Sequence, residues 1–178
     1  MIWYDFEKPL LVTERLELWF PRAEDLRAMY AVVTQPNTSR YLGAVAQLHD
    51  HAIRFMRGAG SWFLYGYGPL MVRLRGHAEV IGNCGVFHTF RGLGDDFDDC
   101  PEAGWILAEE HVGTGLGREA MEAVLAWFDG AHGPRRIVCM IAPENAASIG
   151  LARKLGFTPL RETALADGEA VALFERLP

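Results

Sequence analysis

Three glycines at alternate positions, Gly113, Gly115 and Gly117, have the spacing in this chain that most directly implies chemistry. They follow an apolar run of strand character, Trp105-Ile106-Leu107-Ala108, and open straight into a helical pattern from Leu116 and Arg118 onward. Glycine has no Cβ, so the backbone can turn tightly and a ligand can approach its amides. The first N–H groups of a helix have no internal acceptor, and the helix dipole adds partial positive charge there. A strand, a glycine loop and a helix start therefore make an anion site, suited to a phosphate or pyrophosphate. The spacing excludes two common versions. A dinucleotide fingerprint needs G-x-G-x-x-G, and here the third glycine comes one residue early. A P-loop needs Gly-Lys-Ser/Thr, and the segment Gly113–Arg118 has no lysine.

The order R/Q-x-x-G-x-G/A at a strand-to-helix junction resembles the acetyl-coenzyme A loop of the GNAT N-acetyltransferase superfamily. Gly115 and Gly117 match it, Gly113 stands where members often carry an extra glycine, and Val112 departs from the usual Arg/Gln. Other segments agree in order along the chain. Residues 11–26 are similar to the opening strand and first helix of the RimJ/RimL-like branch, which acetylates ribosomal-protein N-termini. Val80–Phe87 resembles that branch's central hairpin strand. Pro143–Phe157 resembles its second cofactor motif, with Asn145, Ser148 and a closing Leu155-Gly156-Phe157 in place.

The resemblance implies acetyl-CoA as cosubstrate, with no metal, and a set of site residues. Backbone amides of Val112, Gly113, Thr114, Gly115, Leu116, Gly117 and Arg118 would hold the pyrophosphate. Backbone groups of Ile106, Leu107 and Ala108 would bind the pantetheine arm, and Asn145 would serve it from the other side; a helix cap is the plainer role for Asn145. Acetyl transfer also needs a neutral amine and a stabilised leaving thiolate. Glu102, where many members carry a carboxylate, would take the amine proton, or else be a strand-end glutamate after Pro101. Many members use a tyrosine for the thiolate, but the matching residue here is Ala152. Ser148 is the substitute, or only a polar residue in the first helical turn. Glu109 and Glu110 read as solvated charges and His111 as a surface histidine.

These residues need elements to position them, and the patterning supplies an α/β order. A strand is expected over Thr13–Phe20 and a helix over Ala23–Val33. A loop over Asn37–Val45 precedes a helix from about Leu48 to Met56. Strands are expected at Leu70–Leu74 and Glu79–Thr89, then Glu102–Ala108 feeding the glycine loop. Ala120, Val124 and Phe128, with Met121 and Leu125, mark one face of the next helix, which Gly130 and Gly133-Pro134 stop. Arg136–Ile141 follows as a strand, then a helix capped by Asn145 and Gly156, and a closing hairpin, Phe157–Thr163 with Ala170–Arg176, around Asp167-Gly168. The resemblance specifies a single-domain GNAT-like fold over residues 1–178. Its twisted mixed sheet is flanked by helices and split between the fourth and fifth strands by the cofactor cleft.

Composition bounds the remainder. The 178 residues are 50% hydrophobic and 22% charged, as in a globular domain. A net charge of −6 argues against nucleic acid or an anionic membrane as partner. With no basic leader in Met1–Leu10 and no long apolar run, a cytoplasmic location is expected. Cys84, Cys100 and Cys139 form neither a disulfide framework nor a zinc pattern, and Cys84 and Cys139 read as buried thiols. His49 and His51, two apart on a helix, cannot share a metal. Trp62, Phe63, Tyr65 and Tyr67 form an aromatic cluster of core and rim. Asp95, Asp96, Asp98 and Asp99 are either a solvated loop or a negative mouth that concentrates a cationic amine.

The expected function is direct transfer of an acetyl group from acetyl-CoA to a primary amine, a protein N-terminus or a small molecule. The partner is that small-molecule or peptide acceptor, and a homodimer is allowed. A non-catalytic acyl-CoA-binding or sensing module of the same fold is the alternative, and a nucleotide-dependent enzyme stands third.

Overall fold

A computed structural model describes residues 5–43 and 47–178. Met1–Tyr4 of the charged, aromatic opening segment and Ala44–Val45 of the expected loop lie outside the described residues. Among these residues eight strands make one sheet: β1 (Leu11–Val12), β2 (Leu16–Trp19), β3 (Pro69–Leu74), β4 (Val80–His88), β5 (Pro101–Leu107), β6 (Ile137–Ile141), β7 (Thr158–Ala164) and β8 (Ala170–Arg176). Their spatial order is β1-β2-β3-β4-β5-β6-β8-β7, and every neighbouring pair is antiparallel except β5 and β6. Among the described residues five α-helices connect them: α1 (Asp25–Val33), a single turn α2 (Pro36–Ser39), α3 (Leu48–Tyr65), α4 (Leu116–His132) and α5 (Ala146–Lys154). No helix among the described residues is long and apolar enough to cross a membrane.

The parallel pair requires a crossover, and α4 supplies it. Its stripe, Leu116, Ala120, Met121, Val124, Leu125 and Phe128, is buried against Leu18, Leu70, Val72, Ile81, Cys84 and Val86 of the sheet. Each such large side chain contributes roughly 1.5–3 kcal/mol. The opposite face is covered by α1 through Met29 and Val32, with Phe55 of α3 beside them, against Met71, Val80 and Ala108. A buried ion pair fastens α1 to β3: Arg73 donates to Asp25 at 2.7 Å, and the Arg22 amide donates to the other Asp25 oxygen.

Three boundaries differ from the sequence reading. The strand expected over Thr13–Phe20 is β2, shorter than expected, with β1 pairing before it; the added strand makes the split fall between the fifth and sixth strands. Pro36–Ser39 forms a helical turn that overlaps the start of the loop expected over Asn37–Val45. The second helix does not stop at Met56 but runs to Tyr65, so the aromatic cluster sits on it. Gly58 and Gly60 cost that helix about 1 kcal/mol each, but tertiary packing overrides them. A Cβ at Gly58 would stand 2.8 Å from the Pro69 ring, and Trp62 is buried between Phe20 and Trp127, its indole donating to the Pro69 carbonyl. Gly66, at φ 76°, ends the helix.

Candidate active site

The split is visible in the pairing. Strands β5 and β6 register at one point, Glu102 with Val138, whereas β4 and β5 pair continuously from Gly82–Leu107 to His88–Pro101. Beyond Glu102, the β6-facing edge of β5 is an unpaired strand edge leading to the glycine loop. The strand ends in one turn of 3₁₀ helix, Glu109–His111, and the chain then passes through Gly113 (φ 79°) and Gly115 (φ 85°) into α4.

Both glycines adopt the left-handed backbone that other residues avoid. That conformation lines the amides up at the helix start. Among the described residues, nothing accepts a hydrogen bond from the amides of Gly113, Thr114, Gly115, Leu116, Gly117 or Arg118; the first one satisfied is that of Glu119, by the Gly115 carbonyl. The Val112 amide is turned back to Glu109, so it is not part of this row. The Thr114 hydroxyl donates to the His111 carbonyl and the Arg15 guanidinium to the Thr114 carbonyl, so the carbonyl side of the loop is tied down. Glu119 in the first turn of α4 is held by the Thr13 hydroxyl at 2.6 Å and by the backbone and guanidinium of Arg15. Partial burial opposes its charge, but those donors outweigh it and hold the carboxyl below the usual range. The Arg118 side chain lies along the helix, donating to Glu122.

On the strand itself, the Ala108 amide donates to Ile81 and the Leu107 carbonyl accepts from the Thr38 hydroxyl at 3.3 Å. The same pairing turns the Ile106 backbone toward Asn83 of β4, so the groups on the β6-facing edge are those of Trp105 and Leu107, of which α2 engages the Leu107 carbonyl. Thr38 was missed from the sequence because α2 was read as loop. Close packing fixes the path of the strand: a Cβ at Gly82 would collide with the Ile106 carbonyl.

Across the split, Asn145 caps α5, its side-chain oxygen accepting the Ser148 amide at 3.0 Å. The cap turns the Ser148 hydroxyl toward β5, where it accepts the Trp105 indole N–H at 3.3 Å. Ser148 and Trp105 therefore join the two lips of the cleft. Trp105 gave no signal in the sequence beyond its place in an apolar strand. One turn after Ser148 on the same face, Ala152 is fully buried.

Glu102 is 3% exposed and is not a free carboxylate. Arg91 grips it with both ends of its guanidinium, at 2.7 and 2.8 Å, and the Thr89 hydroxyl donates to Oε2. A carboxylate offers about four lone-pair directions. Three are filled, and Oε1 retains one. Arg91 is positioned in turn by Asp98, which accepts its backbone amide and that of Leu93. Burial works against the Asp98 charge, but these and neighbouring backbone amides hold its carboxyl below the usual range.

The Asp95–Asp99 loop is consequently structural in part rather than a mouth of four free charges. Asp96 is clamped by Arg161 at 2.8 Å, which lowers its pKa, and Phe97 is buried against Val138, Val171 and Leu173. The aromatic cluster also separates: Tyr67 is buried and bonded to His88, while Phe63 is 92% exposed. Cys84 and Cys139 are buried thiols; burial pushes Cys84 up to about 12 and Cys139 further, so neither supplies a thiolate.

A family model described as an acetyltransferase (GNAT) domain matches residues 15–158. A GnaT-family protein from Bordetella pertussis is 33% identical, with 93% of this chain and 98% of that one covered and a TM-score of 0.83. RimL, a ribosomal L7/L12 α-N-protein acetyltransferase solved with coenzyme A, shares the fold at a TM-score of 0.72 and 18% identity, over 96% of this chain and 98% of its own. Among curated proteins, the uncharacterized N-acetyltransferase p20 of Bacillus licheniformis is 25% identical over 173 residues, 92% of each chain.

Proposed function

Because the chain belongs to the GNAT acetyltransferase family, we propose that it transfers an acetyl group from acetyl-CoA to a primary amine by direct attack within a ternary complex, as a single domain in the cytoplasm. The observation that carries this reading is the row of unpartnered amides from Gly113 to Arg118 at the mouth of a sheet split that closes at Glu102. Acetyl-CoA supplies an activated thioester carbonyl and an anionic pyrophosphate. The loop amides and the start of α4 bind the pyrophosphate, and the free edge of β5 at Trp105 and Leu107 orients the arm against Asn145 and Ser148.

Three residues handle charge. Glu102 accepts the ammonium proton through a water, using the one open direction on Oε1, and Arg91 keeps the carboxylate aimed at the closing point of the split. The Ser148 hydroxyl already accepts from Trp105, so its own hydrogen is free to donate toward a departing thiolate. Trp105 thereby positions Ser148. Cys84 and Cys139 are buried and the half-buried Cys100 sulfur is taken up by Arg136, so the amine itself attacks.

Calorimetry with coenzyme A, followed by thiol release with a panel of primary amines, tests the proposal. Binding with turnover supports it. Binding without turnover of any amine favours the second reading, an acyl-CoA-sensing module, to which buried Ala152 in place of a hydroxyl lends support.

A further inference from the structure

Strand alternation places Glu102, Gly104 and Ile106 on the sheet face opposite α4, the face that α1 and α3 cover. Phe87 lies on the same face, because a Cβ at Gly104 would meet its ring at 2.9 Å. Along α3, residues 54, 57, 58 and 61 share one side of the helix. That side faces the ends of β3 and β4: Gly58 rests on Pro69, and the Ser61 hydroxyl accepts the His88 amide at 3.2 Å. Arg57 stands one turn before Ser61, which brings it toward the Glu102–Arg91 pair, and Arg54 stands one helical step earlier beside Arg57. The electrostatics agree, since Arg57 is coupled to Arg91, Arg54 and Glu102.

The guanidiniums of Arg91 and Arg57 thus lie near one carboxylate, with Arg54 beside Arg57, on a chain whose net charge is −6. Arg91 is neutralised by Glu102. Arg54 and Arg57 have no hydrogen-bond or ion-pair partner among the described residues, and desolvation together with the neighbouring guanidiniums works against the Arg57 charge. Arg57 is exposed to solvent and set beside two other guanidiniums, so an anion arriving from outside stabilises it. This contrasts with the acidic mouth suggested by the Asp95–Asp99 run, of which Asp96 and Asp98 are taken up internally.

We propose that the acceptor is an amine that also carries a carboxylate, which Arg57, supported by Arg54, receives while the amino group reaches Glu102. This rests on the acetyl-transfer reading above. The carboxylate is that of a free amino acid or of an acidic side chain near a peptide N-terminus, and the two sources share the recognition chemistry.

Matched acceptors test it. Thiol release is measured with an amino acid against its amide, and with a C-terminally amidated peptide whose second and third residues are aspartate against the same peptide with asparagine. Wild type should favour the acidic member of one pair by about tenfold or more in kcat/KM, the scale of a charge-assisted hydrogen bond. Which pair shows it identifies the source. Arg57→Gln should collapse that preference through the acceptor KM, and Arg57→Lys should restore part of it. Equal rates within both pairs, or a preference untouched in Arg57→Gln, overturns the inference while leaving acetyl transfer standing. No turnover with any amine overturns both.

Discussion

At the residue scale, the two candidate proton-handling groups differ in how much freedom their partners leave them. Glu102 is a buried carboxylate with three of its acceptor directions filled, so its ability to take a proton depends on the remaining one. Glu102→Gln should lower turnover by about 10²-fold, with little change in coenzyme A affinity. Unchanged turnover would make Glu102 a structural anchor for Arg91. Ser148→Ala presents the opposite case. The cap depends on the Ser148 amide and the Asn145 side chain, both of which survive the change, so thermal stability should barely move while the chemical step slows. A loss of melting temperature with unaltered single-turnover rates would sink the hydroxyl's role.

At the element scale, the start of α4, where we propose the pyrophosphate binds, is held from outside itself. Thr13 and Arg15, in the turn between β1 and β2, reach Glu119 and Thr114. Removing that tether with Arg15→Ala should weaken coenzyme A binding severalfold, by letting the amide row lose alignment, with a melting-temperature cost of only roughly 2–4 °C. Calorimetry on the folded variant decides; unchanged affinity would show that the glycine loop aligns itself. Gly115→Ala should weaken binding too, but with a clear stability cost, because a Cβ at φ 85° is strained by on the order of 1 kcal/mol. The two lips of the cleft offer an optical readout. The Trp105 indole lies on Ser148 across the split, so coenzyme A should change its fluorescence, and Trp105→Phe should abolish that part of the signal.

At the scale of the whole molecule, two histidines set an acid limit. His51 lies between α1 and α3 with its ring on the Leu26 carbonyl, and His132 ends α4 among Tyr67, Trp127 and Phe128. Desolvation is the main cause holding both below the ordinary histidine value. Their folded pKa is depressed, so the unfolded chain binds more protons as pH falls, and stability is lost below about 6.5, the unfolded value. The melting temperature should be level at neutral pH and begin to drop below that point, well before the carboxylates Asp96, Asp98 and Glu119 are protonated. Replacing both histidines with glutamine should flatten the fall between pH 6.5 and 5.5. A wild-type protein with no slope there would refute the assignment.

Local chemistry made much of this legible from the amino-acid order. Alternating glycines, the period of Ala120, Val124 and Phe128, the Asn145 cap and the Asp167-Gly168 turn act within one or two turns of chain, so their consequences are fixed before the molecule closes. The matches along the chain to a known family carried the fold further than periodicity alone. What tertiary structure decided depends on residues far apart in sequence. Only folding brings Trp105 to Ser148, Arg15 to Glu119, or Thr38 to the strand that α4 follows. The length of α3 was hidden because Gly58 and Gly60 argue locally against a helix that Pro69, Phe20 and Trp127 stabilise from outside. The carboxylates were least legible. Whether Glu102, Asp96 or Asp98 is a reagent or a tie depends on which guanidinium or amide the fold delivers to it, and charge alone in a sequence does not say where its partner will stand.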